Sequence, residues 1–342
     1  METTVPAHRP APAAESPRTP TARRVLRAVA VAACVPYLTL KIAWLSGSTV
    51  GIPPGSSLRD LLHDPAFYAV NVLTVVMDVA VVVLAVALTR PWGRRLPAWP
   101  LVLPGWIATG LIAPILVGFP LVTAVSLLTG GRSTPAADPW LDEWVFGVVY
   151  TGFGVQGLAL GTLFTLYAKD RWGALLRGSV ADLAASPTRP VLRITAVAAA
   201  VAALLPVVLH TVWACGGSVG LSAARAAEHT GGTAVVEADT AAFTALAAVG
   251  ILLAAFGRGT IRLAVPLALG WTGGAATAAW GGWMLMAGAV APDSTGDPAT
   301  SPLMDLTYAV QMLLGMLVLV AGAHLLAERA ATGTAAGALR RG

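Results

Sequence analysis

The chain has 342 residues, of which 56% are hydrophobic and 11% charged, and its formal net charge is +5. A soluble domain carries about 25% charged residues, so a chain this long and this apolar (mean hydropathy +0.73) excludes an ordinary soluble fold and predicts a polytopic membrane protein. The basic residues fall in short segments between apolar runs, which excludes a nucleic-acid interface, and two cysteines exclude a disulfide framework.

Residues 1–24 are rich in Pro, Ala, Thr and Arg and predict a disordered cytoplasmic tail. Eight apolar runs follow, at about 25–46, 67–89, 98–127, 144–168, 191–215, 239–257, 263–290 and 303–327. Each is near the ~20 residues that cross ~30 Å of hydrocarbon as a helix. The third contains Pro100, Pro104, Pro114 and Pro120 and is expected to be kinked or broken. The stretch VAAC at 31–34 has the form of a lipoprotein cleavage box. The apolar stretch before it is too short for a signal and the chain after it stays apolar, so the first span is expected to be retained.

Eight spans place both termini on one side. That side holds Arg23, Arg24 and Arg27, then Arg90, Arg94 and Arg95, then Lys169, Arg171, Arg177, Arg189 and Arg193, then Arg258 and Arg262, and finally Arg329, Arg340 and Arg341. The opposite side holds Arg59, Arg132 and Arg225. This asymmetry predicts a plasma-membrane protein with cytoplasmic termini. The opposite loops are acidic, and Glu237 and Asp239 are counted among them. The Ala-, Gly- and Arg-rich usage is that of a GC-rich bacterial genome.

The sequence echoes itself. PYLTLKIAWLSGSTVGI (36–52) is answered by PVVLHTVWACGGSVGL (206–221), and Arg59–His63 by Arg225–His229, both R-x-x-x-H. PLVLPGW (100–106) is answered by PLALGW (266–271), and FGVQGLALG (153–161) by YAVQMLLG (308–315), setting Gln156 against Gln311. An even number of spans per copy keeps both copies in one orientation. The expected fold is therefore an all-α membrane protein of eight transmembrane helices in two parallel four-helix repeats. Residues 25–168 form the first repeat, 169–190 a cytoplasmic linker, 191–327 the second repeat and 328–342 a cytoplasmic tail.

Charges inside apolar runs are costly and mark candidate sites. Lys41 lies about 6 Å from the outer end of the first span at 1.5 Å per residue. It can snorkel or turn inward toward Asn71 and Asp78. His210 holds the matching place in the second copy. Asp78 sits in mid-span and is too short to snorkel, so it has to be protonated, paired or set in a polar cavity. Its counterpart falls near Leu246, so the second copy is expected to lack a matching acid. Gln156 and Gln311 are mid-span amides suited to interhelical hydrogen bonds. In the outer loops Arg59 and His63, and Arg225 and His229, stand one helical turn apart and form a candidate anion or headgroup site. Ser56 or Ser57 can cap the first of these short helices. A metal held by His63, Asp64, Glu228 and His229 has no recognisable ligand spacing.

No catalytic or nucleotide motif is present. GFGVQG (152–157) is formally G-x-G-x-x-G, but it lies inside a span rather than after a strand. No cofactor is expected, and an intramembrane enzyme has no motif to support it. The function these features point to is a permease or channel-like protein for a small solute or ion, with a pathway near the repeat interface. The alternative is a non-transporting membrane scaffold or envelope-associated partner protein. Partners are the lipid bilayer and no nucleic acid; oligomeric state is open.

Overall fold

The structure, a computed structural model, describes residues 21–56, 58–129, 141–183, 187–227, 230–290 and 300–339. These are all-helical apart from turns and one isolated bridge between Ser179 and Arg262. In chain order the helices are α1 (Thr21–Leu45), α2 (Leu58–Leu61), α3 (Pro65–Thr89), α4 (Trp99–Leu128), α5 (Glu143–Leu176), α6 (Arg189–Ala214), α7 (Ala223–Ala227), α8 (Gly231–Phe256), α9 (Ala264–Val290) and α10 (Pro302–Leu339). Seven of them, α1, α3, α4, α5, α6, α8 and α10, are long and apolar enough to cross a membrane. The chain is a polytopic membrane protein. Its outward-facing Leu158, Ile194, Leu204, Leu313 and Val320 remain exposed in the isolated chain, which suits lipid contact rather than water.

Helix α9 stands outside that group. It carries no charge, but glycine, alanine, threonine and tryptophan take the place of aliphatic residues. Its composition follows from its place. It lies between α8, α10 and α4, and small residues let helix backbones approach closely. A methyl group added at Gly273 would collide with the backbone of Ala247 on α8, and one at Gly281 would lie 2.6 Å from the Tyr308 carbonyl oxygen on α10.

Helix α1 rests on α3 and α5, and α4 on α5. Likewise α6 rests on α8 and α10. One core gathers Ala30, Cys34, Leu84, Leu101, Leu160 and Tyr167, a second Ala196, Ala199, Ala247, Ile251 and Leu314. Between them α4 crosses α8 and α9. There Gly110 faces the Ala275 carbonyl so closely that any side chain would collide with it, and Trp106 is buried beside Ala275 and Ala278.

The proline-rich third run is one continuous helix with Pro104, Pro114 and Pro120 inside it rather than a broken one, as a membrane helix supported by neighbours can be. Two helix boundaries differ from expectation. Helix α5 runs on to Leu176, past the expected end at 168, and the residues just after it bond to the connection between α8 and α9. Val180 N–H donates to the Ile261 carbonyl at 2.9 Å and Leu263 N–H to that of Gly178 at 3.1 Å. Finally, α8 begins at Gly231, eight residues before the expected 239, because Thr230 and Thr233 form a reciprocal capping box. The expected tail lies outside the described residues except for 21–24, which open α1.

The ends of α1 and α6 share one geometry. Gly47 N–H donates to the Trp44 carbonyl and Ser48 N–H to that of Ala43; Gly216 and Gly217 repeat this on Trp213 and Val212. Gly47 has φ 86° and Gly216 φ 90°, the left-handed closing position that glycine fills without strain. Trp44 Nε1 donates to the Val50 carbonyl at 2.8 Å and Trp213 Nε1 to that of Val219 at 2.9 Å. Trp44→Phe and Trp213→Phe are each expected to cost about 1 kcal/mol, the usual worth of one such bond. Thermal unfolding in detergent checks this, and a neutral result at either site would remove its bond from the account.

Candidate functional site: the buried polar layers

Three buried polar arrangements lie within the helices. The first joins α1 to α3. Lys41 Nζ donates to Asn71 Oδ1 at 2.9 Å, and Asn71 Nδ2 donates to the Phe67 carbonyl at 2.8 Å. The ammonium lies 4.9 Å from the Trp44 ring centroid and 5.2 Å from that of Tyr37, within cation–π range. Of the two roles open to it, Lys41 takes the inward one toward Asn71.

The second joins α6 to α8. His210 Nδ1 is 2.5 Å from Glu237 Oε2, and Arg225 Nη2 lies 3.6 Å from Glu237 Oε1. Trp213 meets the imidazole edge to face, with ring centroids 4.8 Å apart. His210 is 3% exposed, and its Nε2 is buried without a hydrogen-bond partner. This corrects two expectations. Glu237 and Asp239 are buried residues of α8, not loop acids, and His210 does have an acid. Asn71 and Glu237 are each the seventh residue of their helix, α3 and α8. An amine with an amide on one side thus answers an imidazole with a carboxylate on the other. The signal that could have found Glu237 is the shared start of the two helices, counted from Asp64 and Thr230 as N-caps.

The third arrangement is deeper. Gln156 Nε2 on α5 donates to Asp78 Oδ1 on α3 at 3.0 Å, and Cys34 of α1, whose thiol donates to the Ala30 carbonyl at 3.2 Å, packs in the core with Val81, about one turn beyond Asp78 on α3. Asp78 is 5% exposed and Gln156 1%. Asp78 Oδ2 and Gln156 Oε1 are buried without partners. Lys41 is therefore bonded to Asn71 and Asp78 to Gln156. Asp78 is the fourteenth residue of α3, and the fourteenth of α8 is Thr244, not Leu246. Thr244 is fully buried and bonds the Thr240 carbonyl of its own helix.

Gln311 is buried against α9 beside Gly281, and its Nε2 has no partner. The two glutamines do not share a level. The Gly51 carbonyl receives Asp142 N–H ahead of α5, and the Gly220 carbonyl receives the Ser301 hydroxyl ahead of α10. From those anchors Gln311 comes one helical turn earlier than Gln156.

The outer-loop residues divide. Arg59 holds its own loop, donating from Nε to the Pro53 carbonyl at 2.9 Å and from Nη2 to that of Ile52 at 2.7 Å. Arg225 instead reaches Glu237. Ser56 Oγ accepts from Leu58 N–H, as expected of a cap. Ser222 Oγ does the same for Arg225 N–H in the second loop. His63 is exposed, while Glu228 and His229 lie outside the described residues. Asp64 caps α3 by accepting from Ala66 and Phe67 N–H. Among the described residues no group of three His, Cys, Asp or Glu could hold a metal. Cys34 and Cys215 are both free, the first buried and the second exposed.

Two grooves open on the surface. One, of about 790 Å³, lies among the end of α5, the start of α6 and the far half of α10. The other, of about 520 Å³, is an apolar depression between α1 and α5. Neither is lined by Lys41, Asp78, Gln156 or His210.

No protein family matches the sequence, and neither the characterised proteins nor the solved structures compared with it include a significant match.

Proposed function

We propose that the protein is a non-transporting helical scaffold of the plasma membrane, with eight spans in two parallel four-helix repeats and cytoplasmic termini, holding an envelope-associated protein partner. The observation that carries this reading is Asp78. The one carboxylate in the middle of α3 is packed between helices and bonded to Gln156, which is how a structural polar group is held. The close approach of Gly110 and Ala275 leaves no room at that level for a pathway between α4 and α9. Support for the repeat comes from the shared turn at Trp44 and Trp213 and the shared positions of Asn71 and Glu237. The orientation rests on the Lys and Arg asymmetry.

One observation favours the permease reading. Three ionisable groups, His210, Glu237 and Arg225, converge near one end of α6 and α8, and intramembrane charge of this kind often lines a substrate route. Asp78→Asn separates the two readings, because asparagine retains the Oδ1 acceptor for Gln156. The scaffold reading expects this variant to reach normal membrane levels. It also expects vesicles holding the wild-type or the variant protein to be no more permeable to protons, K⁺ or small neutral solutes than protein-free vesicles. A wild-type flux that Asp78→Asn abolishes would overturn it.

A further inference from the structure

We propose that the face built by the start of α1, the turn after α3 and the end of α5 binds the headgroups of anionic phospholipids. Residues 21–27 supply three arginines to it, residues 90–95 three more, and residues 169–171 a lysine and an arginine. The one carboxylate in these segments is Asp170. Its Oδ2 holds Arg23 Nη2 at 2.8 Å and Arg94 Nη2 at 3.0 Å, so a single negative charge is shared by two guanidiniums.

The other bonds in this region hold the cations without neutralising them. Arg27 Nη1 donates to the Thr89 hydroxyl at 3.2 Å and ties α1 to α3. Arg171 Nη2 donates to the Leu96 carbonyl at 2.6 Å and ties α5 to the connection between α3 and α4. Hydroxyl and carbonyl acceptors carry no charge. The three elements are thereby fixed against one another with a surplus of positive charge. Arg90, Arg94 and Arg95 stand exposed around the short turn Pro91–Arg95. A basic cluster of this size beside a span attracts anionic headgroups.

Level and aromatic content select a lipid over an acidic protein. From Arg23 to Trp44, near the other end of α1, is about 32 Å at 1.5 Å per residue. That is close to the ~30 Å thickness of the hydrocarbon, so the basic face sits at headgroup level. Trp92 lies among the exposed arginines and Trp99 just after them, 44% and 70% exposed. Exposed indole rings settle at the boundary between headgroups and hydrocarbon, and they gain nothing from an acidic chain in water. The connection between α8 and α9 provides the contrast. It has Arg258 and Arg262 but no tryptophan, and its backbone is bonded to Gly178 and Val180.

The test uses the full chain in dodecyl maltoside micelles. Thermal unfolding is followed with added phosphatidylglycerol, with phosphatidylcholine and with polyglutamate as an acidic chain. Phosphatidylglycerol is expected to raise the midpoint by several degrees, and the other two to leave it in place. Arg90→Gln with Arg95→Gln is expected to remove most of the rise. Arg258→Gln with Arg262→Gln takes the same charge from the other connection and is expected to keep the rise. In about 1 M NaCl, where charges act over only ~3 Å, the wild-type rise is expected to vanish, which keeps the test decisive if a variant does not fold. No rise with phosphatidylglycerol, an equal rise with phosphatidylcholine or polyglutamate, a rise that persists in salt, or equal responses in the two double variants would overturn the proposal.

Discussion

Glu237→Ala is expected to destabilise the folded protein by about 3 kcal/mol, the upper end of what leaving a buried hydrogen-bonding group unsatisfied costs. The carboxylate is the centre of its network. One oxygen holds His210 at 2.5 Å and the other faces Arg225 at 3.6 Å. Its removal strands a 3%-exposed imidazole whose Nε2 already lacks a partner. Replacing both members, His210→Leu with Glu237→Leu, is expected to recover much of the loss, since a buried pair exchanged for apolar groups is often close to neutral. Asn71→Ala, at the same position in α3, is expected to cost less, because Lys41 keeps the faces of Tyr37 and Trp44. Unfolding midpoints of the three variants in one detergent check the order. A Glu237→Ala protein as stable as the wild type would remove the network as a structural element.

Gly110→Leu is expected to be among the most damaging glycine substitutions. Overpacking a core usually costs about 1–3 kcal/mol, because side chains can shift. At Gly110 the obstacle is the Ala275 carbonyl and the Ala279 side chain, so α4 and α9 themselves have to separate. The expected cost exceeds that range, and the folded yield from membranes falls with it. Gly161→Leu is the control, because nothing lies within 4 Å of the added side chain. Equal unfolding midpoints for the two variants would show that α4 and α9 do not depend on this approach.

Most of the helix pattern was legible because long apolar runs have few alternatives in lipid. The boundaries of α1, α3, α4, α6 and α9 fall close to the expected runs. The start of α8 was not legible. Gly231, Gly232 and Thr233 are poor helix formers, and Glu237 and Asp239 look like loop acids until the Thr230 capping box is seen to draw them into the helix. That single displacement hid the partner of His210.

Polar residues were found as types but not as pairs. Lys41, Asp78 and Gln156 stood out as charge or amide in apolar runs. Which one faces which depends on helix rotation, and α3 touches both α1 and α5. Lys41 therefore meets Asn71 while Asp78 meets Gln156. The likeness of Gln156 and Gln311 was carried by flanking Val and Leu, which match readily in an apolar chain. Paired tryptophans with identical bonds carry more weight, since each fixes a turn as well as a residue type.

Cys34 provides the most direct measurement of whether the core around Asp78 is packed or lines a solute path. It is 1% exposed and packs in the core with Val81, about one turn beyond Asp78, and the exposed Cys215 is a positive control within the same chain. A small water-soluble thiol reagent is applied to membranes holding the wild-type protein and Cys215→Ser. The expected result is labelling of Cys215 alone, with Cys34 reacting only after denaturation in detergent. Rapid labelling of Cys34 in native membranes of the Cys215→Ser protein would place water at Asp78 and contradict the scaffold reading.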